Sequence, residues 1–221
     1  MTEPEITLAS GSPRRAELLA LTGWRFDACP TQAEETKPPG EDPRARAIRL
    51  TMLKAQAAES ACEQKGITLA ADTLVVANGE ILGKPRDAEN AAAMLTALRG
   101  REHRVITAIV VRDGKAREQL EVCETEVPMR EYSAEEQAAY IASGAPFDKA
   151  GAYGIQDEDF NPVDLRVMGG CYANVMGLPL CHLVRAMRAL DYEPLLDVPE
   201  ACQIHTGYDC DVYEAILEGE L

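Results

Sequence analysis

The sequence has no long apolar run, no internal repeat and a shortage of cations, and each absence narrows what the protein can be. The longest uncharged stretch, residues 167–184, is broken by three glycines, a proline, an asparagine and a histidine, so a membrane span is not expected. The opening MTEPE lacks the basic and apolar regions of a secretory signal, and the expectation is a cytoplasmic protein. Only 22 Lys and Arg stand against 37 Asp and Glu, for a net charge of -15. Such a surface repels nucleic acid polymers and anionic membranes, so neither is expected as a partner. A small polyanion is admitted where the cations gather in one cleft or metal ions accompany it. Neither GxxxxGK[ST] nor GxGxxG occurs. The seven cysteines are odd in number and irregular in spacing, which reads as reduced thiols. Cys202, His205 and Cys210 cluster in the tail, but three ligands at this spacing are an unfamiliar metal framework.

What is present is an alternation of strand-like and helix-like segments. With 46% hydrophobic residues it supports an α/β domain, or two fused lobes, with ample core. Residues 6–23, ITLASGSPRRAELLALTG, organise the chain. A short buried strand leads to the small turn Ser10-Gly11-Ser12. Ser12 is placed to cap a helix that Pro13 opens, Leu18, Leu19 and Leu21 supply its apolar side, and Gly23 ends it. Arg14 and Arg15 fall in the first turn, where the helix dipole disfavours cations. They are either solvated surface residues or, with the free N–H groups of the helix start, a phosphate site.

Further on, residues 25–29 read as a strand and 31–40 as a polar loop carrying Glu34 and Glu35. Asp42 and Pro43 open a long helix ending near Gly66, with Lys54 at the edge of its apolar face, a place from which lysine ordinarily snorkels to water. Residues 67–71 read as a central strand that stops at Asp72-Thr73, where an acid is either a ligand or base at a strand end or a turn cap. A hairpin over Asn78-Gly79 follows, then Gly83-Lys84-Pro85 and a helix capped by Asp87. Two long antiparallel strands meet at Asp113-Gly114, Ser133 and Glu136 form a capping box, and the glycines of residues 147–156 suit backbone close to a ligand. A last helix starts at Leu178-Pro179, and residues 191–221 are acidic and weakly patterned.

In order and spacing, LASGSPRRAELL (8–19), Glu35-Thr36, Leu53-Lys54-Ala55, AADTLVV (70–76), ILGKPRD (81–87), APFDKAGAYGIQ (145–156) and YANVMGLPL (172–180) resemble the Maf family of nucleoside triphosphate pyrophosphatases. The resemblance implies a two-lobed, mixed-sheet α/β fold around a deep nucleotide cleft. It also implies frequent homodimers, and hydrolysis of a nucleoside triphosphate to monophosphate and pyrophosphate with a divalent metal, usually Mg2+ (Mn2+ and Co2+ as substitutes). It covers residues 5–190, which suggests an enzyme domain over 1–195 and an acidic tail over 196–221. Arg14, Thr73 and Gln156 match the subgroup acting on dTTP and UTP against a 7-methyl-GTP subgroup, and Lys54, Asp72 and Lys84 favour an enzyme over a non-catalytic nucleotide-binding regulator of septum formation. On this reading Ser10, Ser12, Arg14 and Arg15 meet the phosphates, and Lys54 and Lys84 add charge. Glu35 and Asp72 ligate metal, and Asp72 also serves as base. Lys149 either pairs with Asp148 or reaches the phosphates, Thr73 and Gln156 contact substrate, and His103 braces a strand rather than acting as base. The acidic loop 157–170 and the long tail depart from the family pattern.

Overall fold

The computed structural model describes residues 4–31, 38, 40–63, 66–114 and 117–221. Its strands are β1 (Glu5–Leu8), β2 (Arg25–Ala28), β3 (Ile67–Ala77), β4 (Glu80–Leu82), β5 (Glu102–Asp113) and β6 (Arg117–Pro128). They form one six-stranded sheet in the order β2-β1-β3-β5-β6, with β4 attached to β3. β1 is parallel to β2 and β3, while β5 is antiparallel to β3 and β6, which gives the mixed α/β architecture expected.

β3 is buried on both faces, and its side chains alternate between two layers. Leu69, Ala71, Val75 and Ala77 enter the main core with α1 (Pro13–Ala20), α3 (Ala88–Leu98) and α6 (Leu180–Arg188). Ala70, Leu74 and Val76 face α2 (Pro43–Ala61), whose Ala47, Ala55 and Ala58 let the helix lie close on the sheet. Helix starts are capped as their sequences require: Asp42 accepts from the Ala45 N–H at 3.1 Å and Asp87 from the Asn90 N–H at 2.7 Å. Asn78 and Gly79 take φ of 52° and 79°, the left-handed pair of a type I′ hairpin turn.

Four expectations are corrected. β3 does not stop at Asp72 but runs through it to Ala77, because Asp72 and Thr73 pair in register with Ala108 and Thr107 of the long β5. α2 ends at Ala61, short of Gly66. The tail is not featureless: α7 (Val198–Thr206) and α8 (Tyr213–Glu218) pack on α6 and bury Val198, Tyr208 and Ile216, too few apolar positions to leave a clear period. Finally, Cys29 and Cys62 form a disulfide with Cα atoms 6.5 Å apart, where free thiols were expected. The end of β2 and the end of α2 meet in space although 33 residues separate them. Among the described residues no group of three His, Cys, Asp or Glu side chains converges to hold a metal, Cys202, His205 and Cys210 included. Among them, too, no helix is long and apolar enough to cross a membrane.

Candidate active site

The site begins with a gap in the sheet. β1 pairs with β3 only over Ile67–Leu69, and on the same edge β4 pairs over Val75–Ala77. Between them the edge of β3 over residues 70–74 opens into a cleft. Side chains from both faces of the strand reach it, so an acid in mid-strand borders the cleft as one at a strand end would. Asp72 points to the α2 side, and Lys54 of α2 ion-pairs with its Oδ1. The lysine does not snorkel outward; it is held in the cleft by a carboxylate. The other carboxylate oxygen, Oδ2, is buried with no hydrogen-bond partner among the described residues. A buried acceptor without a donor is costly, and a water proton or a hard cation satisfies it.

Thr73 points the opposite way, towards the start of α1. Ser12 occupies the N-cap position, but its hydroxyl makes no cap bond. Its N–H donates instead to Ser10 Oγ at 3.2 Å. Arg15 is a clamp: Nε donates to the Gly177 carbonyl at 2.9 Å, Nη1 to Ser10 Oγ at 3.2 Å and Nη2 to Thr73 Oγ1 at 3.1 Å. Burial lowers its pKa, and the Asp72 carboxylate opposes that shift. Gly177 is required here, since its φ is 111° and a Cβ would lie 3.2 Å from Thr73 Oγ1. It sits just after α5 (Tyr172–Met176).

Arg14 reaches across the cleft mouth to Asp148 Oδ2 at 2.8 Å. Asp148 lies in the first of two 3-10 turns, Ala145–Asp148 and Ala150–Ala152. Partial burial pushes its carboxyl up, but hydrogen bonds from Arg14 and Lys149 outweigh this and leave it below the ordinary value. The buried Lys149 ammonium donates to the Ala145 carbonyl at 2.6 Å and Asp148 Oδ1 at 3.0 Å, and lies 3.4 Å from Asp157 Oδ2. Tyr140, on α4 (Ala134–Ala142), donates to the same Asp157 oxygen. Of the two readings offered for Lys149, the pairing with Asp148 is present, and the residue also lines the cleft.

The cleft encloses about 480 Å³. Ser12, Arg14, Arg15, Lys54, Asp72 and Thr73 line it, together with Lys84, Lys149 and Gln156. An adjoining cavity of about 400 Å³ around the Ser10–Ser12 turn shares Arg14, Lys54 and Lys84, so Ser10 borders the same space. Lys84 stands exposed at the rim. Glu35 lies outside the described residues. His103 is buried behind the wall, its Nε2 2.7 Å from the Tyr153 hydroxyl; burial lowers its pKa to about 4, so it stays neutral and braces Tyr153. The sequence reading missed Arg46, Asp157 and Gly177. Arg46 had a signal, because it precedes Lys54 by eight residues and so shares its face of α2. Gly177 was hidden in what read only as a helix start.

A family model described as Maf-like protein matches residues 5–190. Among curated relatives, a dTTP/UTP pyrophosphatase from Syntrophotalea carbinolica is 45% identical over 187 residues, covering 84% of each chain. One from Shigella boydii serotype 4 is 47% identical over 173 residues, covering 78% of this chain and 86% of the relative. One from Dehalococcoides mccartyi is 41% identical over 198 residues, covering 88% and 86%.

Proposed function

Because the chain belongs to the Maf-like protein family, we propose that it is a nucleoside triphosphate pyrophosphatase that hydrolyses dTTP and UTP to the monophosphate and pyrophosphate. The observation that carries this reading is the Lys54–Asp72 pair, with Asp72 Oδ2 unpartnered among the described residues, beside the cationic start of α1. Asp72 orients a water and takes its proton as the water attacks the α-phosphorus. Lys54 fixes the carboxylate in place. Arg14 and Lys84 draw the phosphates in, and the free N–H groups at the start of α1 add donors. Arg15 acts through others: by holding Ser10, Thr73 and Gly177 it sets the shape of the wall. Gln156, half-buried in the same cleft, offers a donor and an acceptor to a pyrimidine edge. The unpartnered Asp72 oxygen fits a hard divalent cation such as Mg2+, which Asp72 and Glu35 would hold and which supplies charge neutralisation to the phosphates when bound.

In the cell this activity removes modified pyrimidine nucleotides from the pool before they are incorporated. The proposal extends to a cytoplasmic homodimer, with residues 1–195 as the enzyme and 196–221 as a cover on α6. The test is pyrophosphate release from a panel of nucleoside triphosphates with Mg2+, wild type against Asp72→Asn. Turnover of dTTP and UTP, falling about a thousandfold in the variant, is expected. Binding of dTTP without turnover of any triphosphate would overturn the hydrolase reading in favour of a nucleotide-binding regulator.

A further inference from the structure

Six cations line the cleft: Arg14, Arg15, Arg46, Lys54, Lys84 and Lys149. Four are committed to protein oxygens, Arg14 to Asp148, Lys54 to Asp72, Lys149 to Asp148 and Asp157, and Arg15 to its three acceptors. Arg46 is different. It is only 8% exposed, yet among the described residues it forms no ion pair: the nearby Glu41 carboxylate, which feels its charge, is bonded to Arg49, and the buried Arg46 Nε meets no acceptor. The same cleft wall carries apolar Leu74, Ile81 and Leu82. A guanidinium taken out of water without an acceptor is unfavourable in the free protein, and a phosphate oxygen relieves it with charge-assisted, forked hydrogen bonds. Along α2 it lies about 12 Å from Lys54 at the rise of a regular helix, and its side chain leans further towards the N-terminus. It therefore flanks the open edge of β3 from the end away from the Asp72 pair.

We propose that Arg46 is a substrate-contacting residue that, with the exposed Lys84, holds the pyrophosphate portion of the bound triphosphate. The inference rests on the pyrophosphatase reading of this cleft and adds to it a residue that the family resemblance did not supply. Because the free protein leaves the buried Arg46 Nε without an acceptor, removing it relieves an unfavourable burial while removing an anion contact.

The test is calorimetric titration of wild type, Arg46→Met and Arg46→Lys with inorganic pyrophosphate in EDTA, with thermal melting of each. About a tenfold weaker affinity is expected for Arg46→Met, with an intermediate value for Arg46→Lys. The melting temperature of Arg46→Met is expected to be unchanged or raised, which a structural arginine would not give. An affinity within about twofold of wild type in Arg46→Met overturns the proposal. So does a wild type that binds no pyrophosphate, or a drop in melting temperature that lysine does not restore. A loss seen only as altered choice between UTP and CTP, with pyrophosphate affinity unchanged, assigns Arg46 to the base and overturns it as well. Weakened pyrophosphate binding in a protein that hydrolyses no triphosphate supports Arg46 as an anion contact and sinks only the hydrolase reading.

Discussion

Two helices of this protein begin with a serine in an extended conformation, φ -76° in both, and they treat their exposed N–H groups in opposite ways. At α4, Ser133 Oγ accepts from the Glu136 N–H at 3.1 Å, and Glu136 Oε2 accepts from the Ser133 N–H at 2.8 Å. Glu135 and Glu136 lie where the dipole favours acid. At α1, Ser12 makes no cap bond, the first turn carries no acid, and Arg14 and Arg15 stand there instead. The cap residue is the same and both caps are extended, but ψ is 118° at Ser12 and 164° at Ser133, and the side chains of the first turn differ as well. α4 closes its own start and gains stability; α1 leaves its start open to a ligand. Local rules are broken at the start of α1, beside the cleft proposed as the active site, which is the pattern expected of a functional site.

The sharpest way to test that contrast is within α1 itself. Arg14 and Arg15 are neighbours, but Arg15 is tied to three wall acceptors while Arg14 makes a half-exposed pair with Asp148. Arg15→Leu is expected to lose stability by about 3 kcal/mol and activity by at least about a hundredfold, because three oxygens lose a charged donor together. Arg15→Lys is not expected to rescue either, since an ammonium cannot span the three acceptors as a planar fork does. Arg14→Ala is expected to cut kcat/KM about a hundredfold while shifting stability by less than about 0.5 kcal/mol, as exposed pairs contribute little. Urea unfolding and steady-state kinetics on the three variants check this. Equal stability losses at both positions would break the distinction between a clamp and a ligand contact.

The same physics decides how much of this was legible in the sequence. Caps, hairpin turn and strand runs were readable because they depend on neighbours in the chain: Asp42, Asp87, Ser133 with Glu136, and Asn78-Gly79 all act within four residues. The misfit of Arg14 and Arg15 was also local, so the cationic turn was visible. The gap in the sheet was not. It exists because β1 is short and β4 pairs further along β3, a register no local pattern encodes. Without it, Asp72 had to be placed at a strand end to be reachable. The Cys29–Cys62 disulfide and the Arg15–Gly177 contact are missed for the same reason, since each joins segments brought together only by the fold. The assignment of Lys54, Lys84 and Gln156 to one cleft came from family resemblance; pattern alone left Lys54 on the helix surface.

A smaller effect is expected from converting the α1 start into the α4 kind. Ser12→Asp supplies the missing acceptor and a charge favourable to the dipole and to both arginines. Stability is expected to rise by about 0.5–1 kcal/mol. The same charge sits in the turn proposed to receive the phosphates, so triphosphate binding is expected to weaken about tenfold. Opposite shifts in melting temperature and in KM for dTTP carry the prediction. A variant that gains stability and keeps its KM would show that the turn does not face the phosphates.

The smallest expected effect is at α4, and it probes whether the two helix starts are independent. Ser133→Ala removes one half of the reciprocal cap and is expected to cost about 1 kcal/mol, read from denaturant unfolding. If the two starts are separate, kcat/KM should not move. Yet α4 is not isolated from the cleft, because its buried Tyr140 donates to Asp157, which contacts Lys149, which holds Asp148, the partner of Arg14. The path runs from the middle of α4 rather than its first turn. Fraying the first turn should leave Tyr140 in place, since the ring stays stacked on Phe160 with centroids 4.3 Å apart. If Ser133→Ala lowers kcat/KM while Tyr140→Phe lowers it by the same factor, the α4 cap acts on the cleft through Asp157. The division between a helix start built for stability and one built for a ligand then fails, and α4 counts among the elements that position Arg14.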